Sequence, residues 1–235
     1  MSRKVITASM AVAAFAILAL AGNASAAQLT SPTGTRVATG TKVKATNIGV
    51  SRFKNDEGTT TLTECTSTTL TGEVLKNNGT EIEANITTAT ASGTGGLANG
   101  MTECTGTFGN FTPTLNGGGV DGENVENGTP WCLKSVNGTD EFTIRGNLCT
   151  QAQRKITFIV DITSGINCKY ERAEAIKGTF TTDTTGDAVL SMAANSSNTF
   201  KGEAGNSFIC PVSGTLEISY TLEADEAGVT PMYIS

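Results

Sequence analysis

From Leu216 to Leu222 the chain reads Leu-Glu-Ile-Ser-Tyr-Thr-Leu, with a large non-charged residue at every second position. Only an extended strand, whose side chains point alternately to opposite faces, gathers all four on one side. The same period returns in Leu70, Gly72 and Val74, in Ile82, Ala84 and Ile86, in Phe142-Thr143-Ile144, and in the run from Ile156 to Val160. Helical spacing is thin, with room for a turn or two at 151–155 and 171–175. Lys76-Asn77-Asn78-Gly79 separates two of the alternating runs, so residues 67–90 read as a β-hairpin with Asn-Gly turn chemistry. Many short strands joined by Gly and Asn turns predict an all-β chain, a sandwich or a barrel. Threonine, with 40 copies, fits this because its branched side chain suits an exposed pleated surface.

The first 26 residues set the compartment. Arg3 and Lys4 precede an apolar run from Ala11 to Ala21, and Ala24-Ser25-Ala26 follows a glycine. This is the grammar of a secretory leader with an A-x-A cleavage site, and the run is short of the roughly 20 residues that span a bilayer. The expectation is a secreted, extracellular chain, free or attached to a cell wall, with no membrane span after cleavage. Without the leader, 14 basic and 22 acidic residues remain, a net charge of −8. Nucleic acid and anionic lipid are poor partners for such a surface, since both attract basic ones. Histidine is absent, which removes Ser-His-Asp and Cys-His nucleophilic sites and His-bearing zinc sites.

Six cysteines, Cys65, Cys104, Cys132, Cys149, Cys168 and Cys210, stand in this exported chain without a C-x-x-C pair. Disulfides are the expected state, and six cysteines allow 15 pairings. A weak internal repeat narrows them. Leu70-x-Gly72-x-Val74 matches Ile176-x-Gly178-x-Phe180 at an offset of 106, the offset that also separates Cys104 from Cys210; Cys65 and Cys168 differ by 103. Corresponding halves would each hold a bridge, 65 to 104 and 168 to 210, leaving 132 to 149 as a local clip. The organisation predicted is a leader at 1–26, a β half at 27–115, a Gly-rich linker or loop at 116–129, and a second β half at 130–235.

Candidate chemistry is sparse. Ser51-Arg52-Phe53-Lys54 has the S-x-x-K form of penicillin-recognising enzymes but lacks their S-D-N and K-T-G partners. Paired carboxylates could cleave a glycosidic bond without histidine, and Glu64, Glu103, Asp140, Glu141 and Asp161 are candidates, though no spacing singles out a pair. The Asp183–Asp187 and Asn55–Gly58 turns offer oxygen ligands without EF-hand spacing; turns that satisfy their own backbone are the simpler account. No metal or cofactor is expected. Trp131, the single tryptophan, is either a sugar-stacking platform with Tyr170 and Phe111 or a core residue packed by a disulfide.

Pro130-Trp131-Cys132-Leu133, Phe142-x-Ile144-Arg145-Gly146, Cys168-x-Tyr170, Gly178-Thr179-Phe180-Thr181-Thr182, Cys210-Pro211 and Pro231-Met232-Tyr233-Ile234-Ser235 together give the chain a likeness. It resembles a group of small exported proteins of high-G+C Gram-positive bacteria to which no activity is assigned. The resemblance implies secretion and a disulfide-bonded β fold, and it transfers no catalytic residue. The function expected is a non-enzymatic β domain that binds a cell-wall glycan or an extracellular protein. The alternatives are a carboxylate-dependent polysaccharide hydrolase and a secreted inhibitor presenting a clipped loop such as 132–149.

Overall fold

The computed structural model describes residues 27–92, 95–96, 102–106, 109–117, 130–162, 166–225 and 230–235. The leader expected at 1–26 and residues 118–129 of the Gly-rich stretch lie outside the described residues. After β1 (Leu29–Thr30), eight strand passes follow. The first is β2 (Lys42–Asn47) continued by β3 (Ser51–Lys54), and the second is β4 (Thr61–Cys65) continued by β5 (Ser67–Asn77). The third is β6 (Ile82–Ser92) and β8 (Thr102–Gly106), with the two-residue β7 (Gly95–Gly96) between them. The fourth is β9 (Gly109–Gly117) with β10 (Trp131–Ser135), the fifth β11 (Glu141–Gly146) with β12 (Ile156–Ile162), and the sixth β13 (Ile166–Arg172) with β14 (Ile176–Thr182). The seventh is β15 (Ala188–Met192) with β16 (Thr199–Gly202), and the eighth is β17 (Ser213–Ala224), a single unbroken strand.

Each pass pairs antiparallel with the next, and the eighth returns to pair with the first. One ring closes through β2, β5, β6, β10, β11, β14, β15 and the second part of β17. The other closes through β3, β4, β8, β9, β12, β13, β16 and the first part of β17. The order of passes is the same in both. The molecule is therefore one up-and-down, eight-stranded antiparallel barrel with a waist between two rings, and the expectation of a sandwich or barrel resolves as a barrel. Closure leaves the rings without free edges, which an open all-β sheet must protect by other means.

The two halves read from the sequence share both rings. β9 and β10, on either side of 118–129, belong to one pass, so that stretch does not separate two closed bodies. Leu70 and Ile176 lie on passes four apart, and both are buried. The matching glycines sit at close approaches. A side chain on Gly72 would come within 2.2 Å of the Asn85 carbonyl oxygen, and one on Gly178 within 2.3 Å of Phe142.

Inward positions carry the apolar residues, and outward positions of β17 (Glu217, Ser219, Thr221, Glu223) and β14 (Lys177, Thr179, Thr181) are polar. A lipid-embedded barrel needs the reverse, an apolar outer band. Among the described residues, no helix is long and apolar enough to cross a membrane. Three disulfides join Cys65 to Cys104, Cys132 to Cys149, and Cys168 to Cys210. Extending the β4–β8 register by one residue sets Cys65 opposite Cys104, so this bridge staples the second pass to the third at the waist. β18 (Thr230–Pro231) adds to β17, while β19 (Tyr233–Ile234) pairs with β1 and brings buried Leu29 and Met232 into the core.

Where the strand ladders break, asparagine side chains take over. Asn198 accepts from the Lys177 N–H at 2.8 Å and donates to the carbonyl of the same residue at 2.8 Å. Asn206 does the same for Lys169, and Asn77 for Leu29. Asn47 accepts from Thr68 N–H and donates to the Thr66 carbonyl across the first break. A carboxamide carries the donor and acceptor of a peptide group, so it completes a ladder where no strand is available. Asn198 is 1 % exposed. Replacing it with Ala removes the partner of the part-buried Lys177 N–H and carbonyl, and the expected loss is about 1–3 kcal/mol. Chemical denaturation checks this, and a midpoint unchanged in Asn198→Ala would contradict it.

Candidate functional site

Strand alternation places Trp131 and Cys132 on opposite faces of β10. Trp131 points into the barrel and is 6 % exposed. Cys132 points outward, and its bridge to Cys149 clips the 147–155 connection over the wall, where Cys149 N–H also donates to Asn85. Tyr170 on β13 is 2 % exposed and stacks on Phe158 with ring centroids 5.1 Å apart. A sugar-stacking platform open to solvent is therefore not what Trp131 and Tyr170 form, because both are enclosed by the barrel wall. The side chain of Phe111, on β9, lies outside the described residues.

What the waist does form is a cavity of about 90 Å³. Trp131, Ile176, Met192 and Ile218 line it from one ring, and Phe53, Phe158 and Phe200 from the other. The aromatic wall is rigid: Phe158 meets Phe53 and Phe200 edge-on at 4.9 and 5.1 Å. Four hydroxyl-bearing residues, Ser51, Thr63, Thr68 and Tyr220, also line it. Ser51 and Thr68 are hydrogen-bonded at 2.8 Å, and Thr68 also bonds Tyr220. Burial pushes the Tyr220 phenol well above its ordinary value, a shift that the Thr68 bond only partly offsets, so it stays neutral. The indole N–H of Trp131 is different. It is buried, and no acceptor among the described residues reaches it.

The remaining sequence candidates are dispersed. Ser51 faces inward and Lys54 outward on β3, where Lys54 bonds Glu217 at 2.6 Å, so the S-x-x-K residues cannot meet. Glu64 is on the outer wall, bonded to Arg52 at 2.8 Å. Asp140 and Glu141 are exposed at the β10–β11 turn. The side chains of Glu103 and Asp161 lie outside the described residues. Asp183 spends its carboxylate on Thr185 and Asp187 N–H groups, and Asn55 closes its own turn in the same way. The segment clipped by Cys132–Cys149 is the β10–β11 hairpin, whose strands belong to the wall and whose turn at 136–140 is exposed.

Of the cavity residues only Trp131 was singled out as a binding residue, and Tyr170 does not line the cavity. Alternation shows that Phe53, Phe158, Phe200 and Tyr220 face inward, but it does not show that they meet at one level. Their shared level depends on the stagger of eight passes.

The fold defines a closed antiparallel barrel with an apolar interior site. No protein-family model matches the chain, and no curated protein or solved structure matches it either.

Outside the barrel, charge pairs bridge the passes. Burial works to raise the Glu83 pKa, but Lys134 and Lys76, at 2.7 and 2.9 Å, outweigh it and hold the carboxyl below its ordinary value. Lys54 first, then Arg52, hold Glu217 down across the seam between the last and first passes, against a smaller effect of burial. A carboxyl depressed on folding stabilises the folded state above its unfolded value, here 4.5, and that contribution is lost as pH falls through the folded value. Denaturation midpoints should thus be level down to about pH 5 and fall below it, less steeply in Glu217→Gln. An equal fall in that variant would remove the seam pair from the account.

Proposed function

We propose that this protein is an exported, non-enzymatic binding module that takes a small apolar molecule into the waist of its barrel. The observation that carries the reading is the cavity of about 90 Å³ walled by aromatic and aliphatic side chains, within a framework fixed by strand closure and three disulfides. Eight-stranded barrels are just wide enough to be filled by side chains or to hold one small ligand. Pockets of this kind are mostly apolar with few polar groups that fix orientation. Extracellular placement is part of the proposal and rests on the leader grammar and on disulfides, which persist in oxidising compartments. The likeness to small exported proteins of high-G+C Gram-positive bacteria points the same way.

A carboxylate hydrolase is less well supported. Such an enzyme needs one acid with a raised pKa beside an ionised partner. The described acids with displaced values, Glu83, Asp183 and Glu217, are all held down by hydrogen bonds or cations. Surface recognition of a glycan lacks its aromatic platform once Trp131 and Tyr170 are inside.

Trp131, the single tryptophan, is a reporter built into the cavity. Cyclopentane at tenfold excess over its Kd should shift Trp131 emission and raise the melting temperature by about 3–5 °C. Ile218→Phe, which fills the cavity, should abolish both responses. Unchanged emission and melting in the wild-type protein up to the solubility limit of cyclopentane would overturn the reading.

A further inference from the structure

We infer that the guest of the waist cavity is an apolar molecule bearing one hydrogen-bond-accepting oxygen, a carbonyl above all, which takes the indole N–H of Trp131. This rests on the reading of the waist as a binding site and adds the chemistry of its occupant. Of the four hydroxyl-bearing residues in the lining, Ser51, Thr68 and Tyr220 bond to one another and Thr63 is half-buried. Trp131 Nε1 is left as a buried donor with no acceptor among the described residues, in a side chain 94 % removed from solvent by its 6 % exposure. An unpaired buried N–H costs about 1–3 kcal/mol, which a phenylalanine at the same place would avoid. A guest that accepts one hydrogen bond and donates none completes the set.

The same lining sets what is refused. The Arg52 guanidinium, whose residue borders the cavity, is held by Glu64 and Glu217 on the outer wall. A carboxylate guest would thus lose its hydration without gaining a cation. A sugar would bury several hydroxyls against phenylalanine and isoleucine, and an ammonium would bring a second donor to a site already in surplus of donors. Ketones, aldehydes, esters and ethers remain. The size is bounded as well, because a cavity of about 150 Å³ accepts benzene, and 90 Å³ lies below it. The guest is therefore smaller than benzene, with about four or five non-hydrogen atoms, or presents a head group of that size.

Cyclobutanone and methylenecyclobutane have the same shape and number of non-hydrogen atoms, fit the size bound and differ in the acceptor. Calorimetric titration of both into the wild-type protein and Trp131→Phe isolates the hydrogen bond as a ratio of affinities. The cyclobutanone to methylenecyclobutane ratio should fall by about 3- to 10-fold in the variant, the worth of one neutral hydrogen bond. An unchanged ratio would overturn the acceptor assignment and leave the cavity reading intact. Failure of both probes to bind the wild-type protein would overturn the cavity reading itself. Should Trp131→Phe not fold, the single indole N–H proton resonance of the wild-type protein decides. Cyclobutanone should move it downfield and methylenecyclobutane should not, and equal shifts would refute the assignment.

Discussion

Everything in this molecule depends on the last strand returning to the first. β17 pairs through Thr215, Leu216 and Glu217 with β3, and through Tyr220 to Ala224 with β2. Those two ladders convert a meander of eight passes into a tube. Without them, two rows of backbone donors and acceptors would be left at sheet edges, and the inward apolar residues would face an open trough. The seam is reinforced on its outer face by Glu217, which holds both Lys54 and Arg52, so charge and ladder act at the same place.

Closure is not achieved with eight ideal strands. The first pass inserts residues 48–50 while β17 runs straight past, and the seventh inserts the short 3₁₀ turn Ser196–Asn198. Each insertion takes backbone groups out of register, and asparagine carboxamides at 47 and 198 return their partners. The waist is the consequence. The cavity beside Trp131 lies where the two rings meet and is lined by side chains of both. Structure and proposed function thus share one cause, the mismatch between an unbroken β17 and the interrupted passes around it.

Much of this was legible in residues 216–222, whose alternation gives the inward face of β17 without reference to any other segment. The repeat of Leu70 and Gly72 in Ile176 and Gly178 anticipated the disulfide pairs because the motifs sit four passes apart on one ring, in equivalent surroundings. The choice between sandwich and barrel was not legible, because an inward apolar face serves both; it is decided by a contact between residues 43–54 and 215–224, far apart in sequence. The fate of Trp131 was half legible. It is a core residue, as one of its two readings expected, but its neighbour Cys132 occupies the opposite face of the same strand, so the disulfide adjacent in sequence is not what the indole packs on. That it meets Ser51, Phe158 and Ile218 at the waist follows only from register. The roles of Asn47, Asn198 and Asn206 carry no local signal, since an asparagine completing a ladder and one in an ordinary turn read alike.

The central claim is a closed barrel with an accessible apolar space at its waist, and a crystal structure under xenon pressure tests both parts at once. Xenon enters apolar cavities without needing a hydrogen bond, so it reports the space independently of what the natural guest is. The account predicts a xenon site bounded by Trp131, Phe158 and Ile218 inside a ring that β17 closes against β2 and β3. A closed barrel with that space filled by repacked side chains, or an open seam at β17, would contradict it.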